Sequence, residues 1–323
     1  MDTLILTKTD IERVLQPAAL LENLRAAFAS YSGSGGIRSA RLPLPLPNPS
    51  PAGASAMIIA PGWLPDIPAY TVKVHAKFPG LQPAIQGVVI LHDLATGFPL
   101  AILESTYLTT LRTALAGALG ADILAVPDAA HVAIIGAGQQ GRSQLEALRL
   151  VRPVRSVKVF DVSPSASRDF LDAPCSEGLD VSVAKSPVEA IEGADIVVTA
   201  TWSTEPFLAA RDVHPGLHIT TLGPDQPGKV ELSADLLEAA LVVVDDRALA
   251  VEMGAVAGAG LDERAIHAEL GEVIAGTRGG RASKDDITIF GSVGLAFQDL
   301  VAAWTAYSIC REKGDGQLVK LMS

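Results

Sequence analysis

The chain has 323 residues, of which 49% are hydrophobic and 19% charged, enough to build two domains with buried cores and too apolar for extensive disorder. Its formal charge of −11 excludes nucleic acid or an anionic membrane as the main partner, because phosphate binding needs a basic face. A small anionic substrate stays open, since it needs only one or two well-placed cations.

Along the chain, the apolar start Leu4 to Leu6 precedes Thr9-Asp10, which can cap a helix. No basic segment followed by a long apolar run is present there, and the two distant cysteines, Cys175 and Cys310, fit no metal or paired spacing. A cytoplasmic protein with reduced, inert thiols is the expectation. Pro17 can open a helix through Leu20, Leu21, Leu24 and Phe28, stopped at Gly33, Gly35 and Gly36. From Arg38 to Gly62 the chain is rich in Pro, Ser and Leu, which predicts edge strand or loop with a strand near Ala56 to Ile59.

Strands are then expected at Tyr70 to His75, Gly87 to His92 and Leu100 to Leu103, with a turn at Ala95-Thr96-Gly97. Together they predict a mainly antiparallel or mixed sheet. Thr109 to Leu124 reads as an Ala- and Leu-rich helix.

At His131 the pattern changes to alternating strand and helix. Strands are predicted at His131 to Ile135, Val157 to Phe160, Asp195 to Ala200, Leu217 to Leu222 and Leu241 to Asp245. Helices are predicted at Gln140 to Val151, after Ser186-Pro187, and after Ser233. This alternation predicts an α/β domain, a parallel sheet with helices on both faces. A last, amphipathic helix is expected over about Val293 to Arg311, folding back on the first domain.

Between the first of these strands and its helix lies Gly136-Ala137-Gly138-Gln139-Gln140-Gly141. Alone, a GxGxxG is a weak signal, because Gly also serves ordinary turns. Here Gly136 allows the tight turn, Gly138 lets the backbone approach a pyrophosphate, and Gly141 permits close helix–strand packing, while the helix N-terminus offers free N–H groups. Asp161, twenty residues after Gly141, is placed to accept hydrogen bonds from a ribose diol and to repel a 2′-phosphate. The expectation is NAD(H) rather than NADP.

Two further groups are candidates. Arg41, Lys73 and Arg112, with His75 and Lys77 beside Lys73, are cations in a first domain of apolar character. Lys73 and Arg112 either snorkel or face a polar cleft. Asp225, in Gly223-Pro224-Asp225-Gln226-Pro227-Gly228-Lys229-Val230-Glu231, follows an apolar strand. It is either a turn-forming Asp or a group facing the nicotinamide at the carboxyl end of the sheet.

Taken together, the residues resemble the ornithine cyclodeaminase/mu-crystallin family over nearly the whole chain. The carrying segments are Ser39-Ala40-Arg41, Val72-Lys73-Val74, Leu108 to Thr113, Ile134 to Gln139, Gly223 to Leu232, and Phe290-Gly291-Ser292-Val293-Gly294 with Gln298-Asp299. Thr3 to Thr7, Gly271 to Gly276 and Ile287 to Phe290 look most like the family's NAD-dependent alanine dehydrogenase branch. The resemblance implies a Rossmann-type domain, residues 119–299, inserted into a mixed-sheet substrate-binding and dimerisation domain, residues 1–118 and 300–323, in a homodimer.

It also implies roles. Arg41 and Arg112 would hold a substrate carboxylate, Lys73 would line the reacting nitrogen or water, and Asp225 would act as general acid/base. Thr113, Gln139, Thr199, Thr201 and Val293 would touch the cofactor together with the glycine loop. Near Ile58 the cyclodeaminases carry an acidic residue that recognises the distal amine of ornithine, whereas the archaeal alanine dehydrogenase is basic there. An apolar Ile58 cannot compensate an ammonium.

These features favour hydride transfer at C2 between a small L-amino acid and its imino or keto acid, without metal. The alternatives are ornithine cyclodeamination with catalytic NAD, and a non-catalytic ligand binder of the mu-crystallin type. For His75 and Lys77, a place in the pocket and a charge at its rim both remain open.

Overall fold

The computed structural model describes residues 2–33, 40–45, 56–78, 81 and 83–321. The chain divides into two compact units, residues 1–112 with 295–323, and residues 113–294. The divisions fall a few residues before the 118/119 and 299/300 positions expected from the sequence.

The first unit begins with β1 (Thr3–Leu6), α1 (Lys8–Val14) and α2 (Pro17–Gly33). Thr7, not Thr9-Asp10, caps α1. Its hydroxyl accepts from Asp10 N at 3.3 Å while Asp10 accepts from Thr7 N at 3.1 Å, a reciprocal capping box with Asp10 as the third helical residue. Then follow β2 (Leu42–Pro45), β3 (Ala56–Trp63), β4 (Ala69–Lys77), β5 (Ile85–Asp93), β6 (Pro99–Glu104) and α3 (Ser105–Leu124), of which residues 113–124 are counted in the second unit.

With the C-terminal strand Gln317–Val319 these strands form one sheet in the order C-terminal strand, β1, β6, β5, β4, β3, β2. Only the β1–β6 pair is parallel, so the sheet is mixed, as expected. Proline-containing β2 lies at the edge, where its missing donors cost no ladder bond.

The C-terminal helix, Ala296–Lys313, starts later than predicted and is not amphipathic in its first half. Ala296 through Ala303 are all buried. One side lies on β3 and β4. The other meets α2, where Phe297 packs edge-on against Phe28 at 5.1 Å and tilted against Tyr31 at 4.8 Å. A helix enclosed on both sides needs no polar stripe.

The second unit contains β7 (His131–Ile135), α4 (Gln139–Val151), β8 (Ser156–Phe160), α5 (Pro164–Leu171), β9 (Asp180–Val183), α6 (Pro187–Ile191), β10 (Ile196–Thr199), β11 (His218–Thr221), α7 (Ala234–Ala239), β12 (Leu241–Val244), β13 (Ala268–Glu269) and β14 (Thr288–Gly291). All pairings are parallel, in the order β13, β12, β14, β11, β10, β7, β8, β9. Strands β10, β11 and β14 are buried at every position, which parallel strands covered on both faces require.

Strand order reverses between β7 and β10, so the crevice at their carboxyl ends is the topological switch point where such sheets take ligands. The cysteines are free and buried, and burial pushes both thiols up. Among the described residues no helix is long and apolar enough to cross a membrane.

Candidate active site

In the first unit, alternation along β4 puts Thr71, Lys73, His75 and Lys77 on one buried face. Lys73 is 2% exposed, and its ammonium donates to Thr109 Oγ1 at 2.6 Å and to Asp299 Oδ1 at 3.2 Å. The same oxygen accepts from Arg112 Nε at 3.1 Å, while Arg112 also donates to Gln298 Oε1 at 2.6 Å. One carboxylate from the C-terminal helix thus holds two buried cations, one from β4 and one from α3.

Burial pushes the Lys73 pKa down to about 7; Asp299 opposes the shift while Arg112 and Arg41 add to it. Burial also pushes Asp299 up, but its two cations outweigh it and hold the carboxyl below its ordinary value. A lysine that changes charge near neutrality can give and take a proton.

Arg41 is partly buried just before β2, and its charge acts on both Lys73 and His75. Ser39 lies outside the described residues. Ile58 is buried at 2% and pairs directly with His75 across β3 and β4. Arg41, Ile58, Lys73, His75 and Arg112 all belong to the first unit, whereas Asp225 belongs to the second. The first unit adds Asp299, Gln298 and Thr109, for which sequence reasoning had no role; a charged residue inside the apolar run of the C-terminal helix was the available signal.

In the second unit the glycine loop joins β7 to α4 at the switch point. Gly136 has φ +104°, and a β-carbon there would collide with Ala200 O at the end of β10. Gly138 caps α4 without a side-chain hydrogen bond, leaving the first-turn amides of Gln139, Gln140 and Gly141 to a ligand. A β-carbon at Gly138 meets nothing within 4 Å, so the approach to the backbone is open. Gln139 Nε2 donates to Ser143 Oγ at 3.1 Å, Gln140 Oε1 is buried with no partner among the described residues, and Thr113 O accepts from Gln144 Nε2 at 3.0 Å.

Gly141 is constrained for packing. Its β-carbon would run into the carbonyl of Gly136, a backbone atom that cannot step aside. Gly141→Ala is expected to cost about 2 kcal/mol, the range of an overpacked core, and thermal unfolding should show a Tm lower by about 5 °C.

Asp161, just past β8, accepts from Ala137 N at 2.8 Å with one oxygen and from Ser163 N at 2.8 Å with the other. It pins the glycine loop while its remaining lone pairs stay available.

Thr199 and Thr201 are turned inward. Thr199 Oγ1 donates to Glu231 Oε2 at 2.6 Å; Thr201 donates to Glu231 Oε1 from both N and Oγ1 at 2.7 Å. Thr221 Oγ1 at 2.7 Å and Gly223 N at 3.1 Å complete the set on Oε2. Glu231, fully buried, thus ties together the carboxyl ends of β10 and β11. Gly223 must lack a side chain, since a β-carbon would strike that carboxylate.

Asp225 lies in the loop so tethered. It accepts from Lys229 Nζ at 2.8 Å, and that ammonium stands 4.0 Å over the Trp202 ring. Val293 is buried, and its N–H donates to Asp245 Oδ2 at 2.8 Å, beside Gly294 N and Ser292 Oγ on the same oxygen. Burial raises Asp245 to about 6 against these hydrogen bonds.

Comparison with known proteins agrees with this architecture. The alanine dehydrogenase of Archaeoglobus fulgidus is 35% identical over 334 residues, covering 99% of each chain. The solved structure of an archaeal alanine dehydrogenase dimer with bound NAD superposes with a TM-score of 0.90 at 33% identity, covering 100% of both chains. The Delta(1)-pyrroline-2-carboxylate reductase of Thermococcus litoralis, in complex with NADH and L-proline, gives 0.90 at 30% identity over 98% of this chain and 100% of that one. The model of the ornithine cyclodeaminase/mu-crystallin family matches residues 1–314. The chain belongs to the ornithine cyclodeaminase/mu-crystallin family.

Proposed function

We propose that this protein is an NAD(H)-dependent oxidoreductase interconverting a small L-amino acid and its imino or keto acid, and that it works as a homodimer. The observation that carries the reading is the buried Lys73–Asp299–Arg112 cluster, with a lysine whose pKa lies near 7. NAD(H), when bound, supplies or accepts a hydride at the substrate's C2.

Each residue then has a physical task. Arg41 and Arg112 bind the substrate carboxylate, for which a planar fork of donors is better suited than an ammonium. Lys73 holds a proton at the substrate nitrogen, giving it during imine reduction and taking it during amine oxidation. Asp225, which accepts a hydrogen bond from Lys229, serves water or the amine as the second acid/base. The amides after Gly138 hold the pyrophosphate, and Thr113, Gln139 and the segment at Val293 line the cofactor. Thr199 and Thr201 act through Glu231, which fixes the loops around them.

The decisive assay follows NADH during incubation with L-alanine, and in reverse with pyruvate plus ammonia. Ammonia-dependent NADH turnover supports the reading, and its absence across small amino and imino acids overturns it. Ornithine cyclodeamination is the second reading, and release of ammonia from ornithine without net NADH would identify it. Buried Ile58 opposes that reading, because an ammonium beside it would be desolvated without a partner.

Asp161 favours NAD over NADP by its charge. Asp161→Ser is expected to lower kcat/KM for NADH by about 10-fold and to raise the relative use of NADPH, the loss being that of charge-assisted ribose bonds. Parallel steady-state assays with the two cofactors check this.

A further inference from the structure

Asp245 follows β12, is fully buried and has no task in the reading above. Its Oδ2 accepts from Ser292 Oγ at 3.0 Å and from the N–H groups of Val293 and Gly294, each at 2.8 Å. Its Oδ1 accepts from Asp246 N at 3.1 Å. Strands β12 and β14 are neighbours, with Val244 opposite Gly291, so the carboxylate reaches from the end of one strand to the segment that leaves the other. Two successive N–H groups converge there on one oxygen, the arrangement with which backbone grips an anion. Gly294 takes its left-handed φ of +84° without strain.

Strand order tells which half of the cofactor that segment meets. The glycine loop follows β7 and Asp161 follows β8, which puts the pyrophosphate at the switch point and the adenosine ribose on its β8 side. The rest of the dinucleotide then runs the other way, across the carboxyl ends of β10, β11 and β14. Ser292-Val293-Gly294 begins where β14 ends, and Ser292 N donates to Thr221 O at 3.1 Å at the end of β11. What this segment presents to a ligand is set by its backbone, and Asp245 takes two of its three N–H groups.

The carboxylate has no acceptor capacity to spare. Two oxygens carry about four lone-pair sites, and four donors occupy them. A proton on either oxygen adds a fifth donor, which has to displace Asp246 N or one of the groups on Oδ2. Burial lifts Asp245 to about 6, opposed by the hydrogen bonds from Gly294, Ser292 and Val293 and assisted by the charge of Asp246. Among the described residues no cation pairs with it. Asp246 caps α8 (Arg247–Met253) through Leu249 N at 2.8 Å, Arg247 donates to Ile266 O, His267 O and Glu272, and Glu252 is exposed. The helix Ala255–Gly258 brings no charge. On the β11 side the charged group is Glu231, itself bonded to Thr221 and Gly223.

We propose that the Asp245 carboxylate is a positioning group for the nicotinamide half of NAD(H), acting through the backbone of Ser292-Val293-Gly294. Protonation frees one of its donors and lets that segment leave the shape that binds. The inference rests on the reading that puts the segment at Val293 against the cofactor, and it needs no particular amino acid substrate.

The test is calorimetric titration of the whole protein from pH 8 to pH 5 with NAD⁺, which survives acid, and with ADP-ribose, which lacks the nicotinamide. The ratio of the two Kd values, NAD⁺ over ADP-ribose, removes pH effects common to both ligands. In wild type this ratio is expected to rise about 10-fold towards pH 5, because about a tenth of a carboxyl titrating near 6 stays ionised there. In Asp245→Asn it should be raised about 10-fold already at pH 8, the loss of a charged acceptor, and no longer change with pH. Ser292→Ala removes one donor from the ionised form and leaves the backbone bonds. It should move the midpoint of the curve to higher pH, and it decides the matter if Asp245→Asn does not fold. A pH-independent ratio in wild type, an unmoved midpoint in Ser292→Ala, or equal weakening of both ligands in Asp245→Asn overturns this inference alone. Failure of wild type to bind either ligand overturns the cofactor reading as well.

Discussion

Lys73→Met is expected to lower kcat by about 10³-fold, within the range supplied by a positioned acid/base, while NADH still binds. Methionine keeps the length of the side chain and removes the proton. It leaves Asp299 paired with Arg112, so the buried carboxylate is not stranded. Stopped turnover with retained NADH fluorescence enhancement separates loss of chemistry from loss of folding. A pure ligand binder of this fold would show no such contrast.

The same lysine predicts a pH dependence. In the reductive direction Lys73 acts as an acid, so wild-type kcat/KM should fall as pH rises through about 7, where it loses its proton; amine oxidation should show the opposite limb. Stability has its own sign. The ordinary value for lysine is 10.5 and the folded value about 7, so between them the unfolded chain binds more protons. Folding is therefore favoured progressively as pH rises across that window. Urea midpoints measured from pH 7 to 10 should rise less steeply in Lys73→Met than in wild type.

Glu231→Gln is expected to destabilise the second unit by about 3 kcal/mol, the loss of a charged acceptor with buried donors left unmet. The substitution looks conservative and is not. Each carboxylate oxygen accepts one backbone N–H, from Thr201 on one side and from Gly223 on the other. An amide has one oxygen, so its NH₂ must face one of these donors whichever way it turns. The three threonine hydroxyls can rotate; the backbone cannot. Calorimetry should show a Tm lower by about 8 °C. Turnover should fall too, because Gly223 opens the loop that carries Asp225.

Most of the second unit was legible because its signals are local. Short runs of β-branched and apolar residues marked β7, β10, β11 and β12, and the glycine loop sits between a strand and a helix that begins one residue earlier than predicted. Helix α5 and strand β9 were not predicted. Ser163-Pro164 is a cap followed by proline at the first turn, but exposed β9 offers no apolar run to the reader. Cap assignment failed at Thr7 because several neighbouring residues can cap and only the geometry of the turn selects one.

The candidate site was half legible. Arg41, Lys73, Arg112 and Asp225 stood out as charges in apolar or turn settings. What each one touches did not, because those partners are distant in sequence. Asp299 is 226 residues from Lys73, and Glu231 draws its donors from two separate segments, at the ends of β10 and β11. Thr199 and Thr201 show the cost of inference by position alone: their place at the strand end was read, but not the carboxylate that takes their hydroxyls.

The dependence of Lys73 and Arg112 on Asp299 also sets an order of assembly. The cations lie in the first 112 residues, whereas their counter-charge and the strand that pairs with β1 come after residue 295. On the ribosome, β3 to β6 emerge long before the helix that covers them. Until that helix arrives, both cations belong in water, since burying them alone is too costly. The substrate face is therefore the last part of its unit that can close during synthesis, and the unit made first in part is finished only after the inserted one is complete.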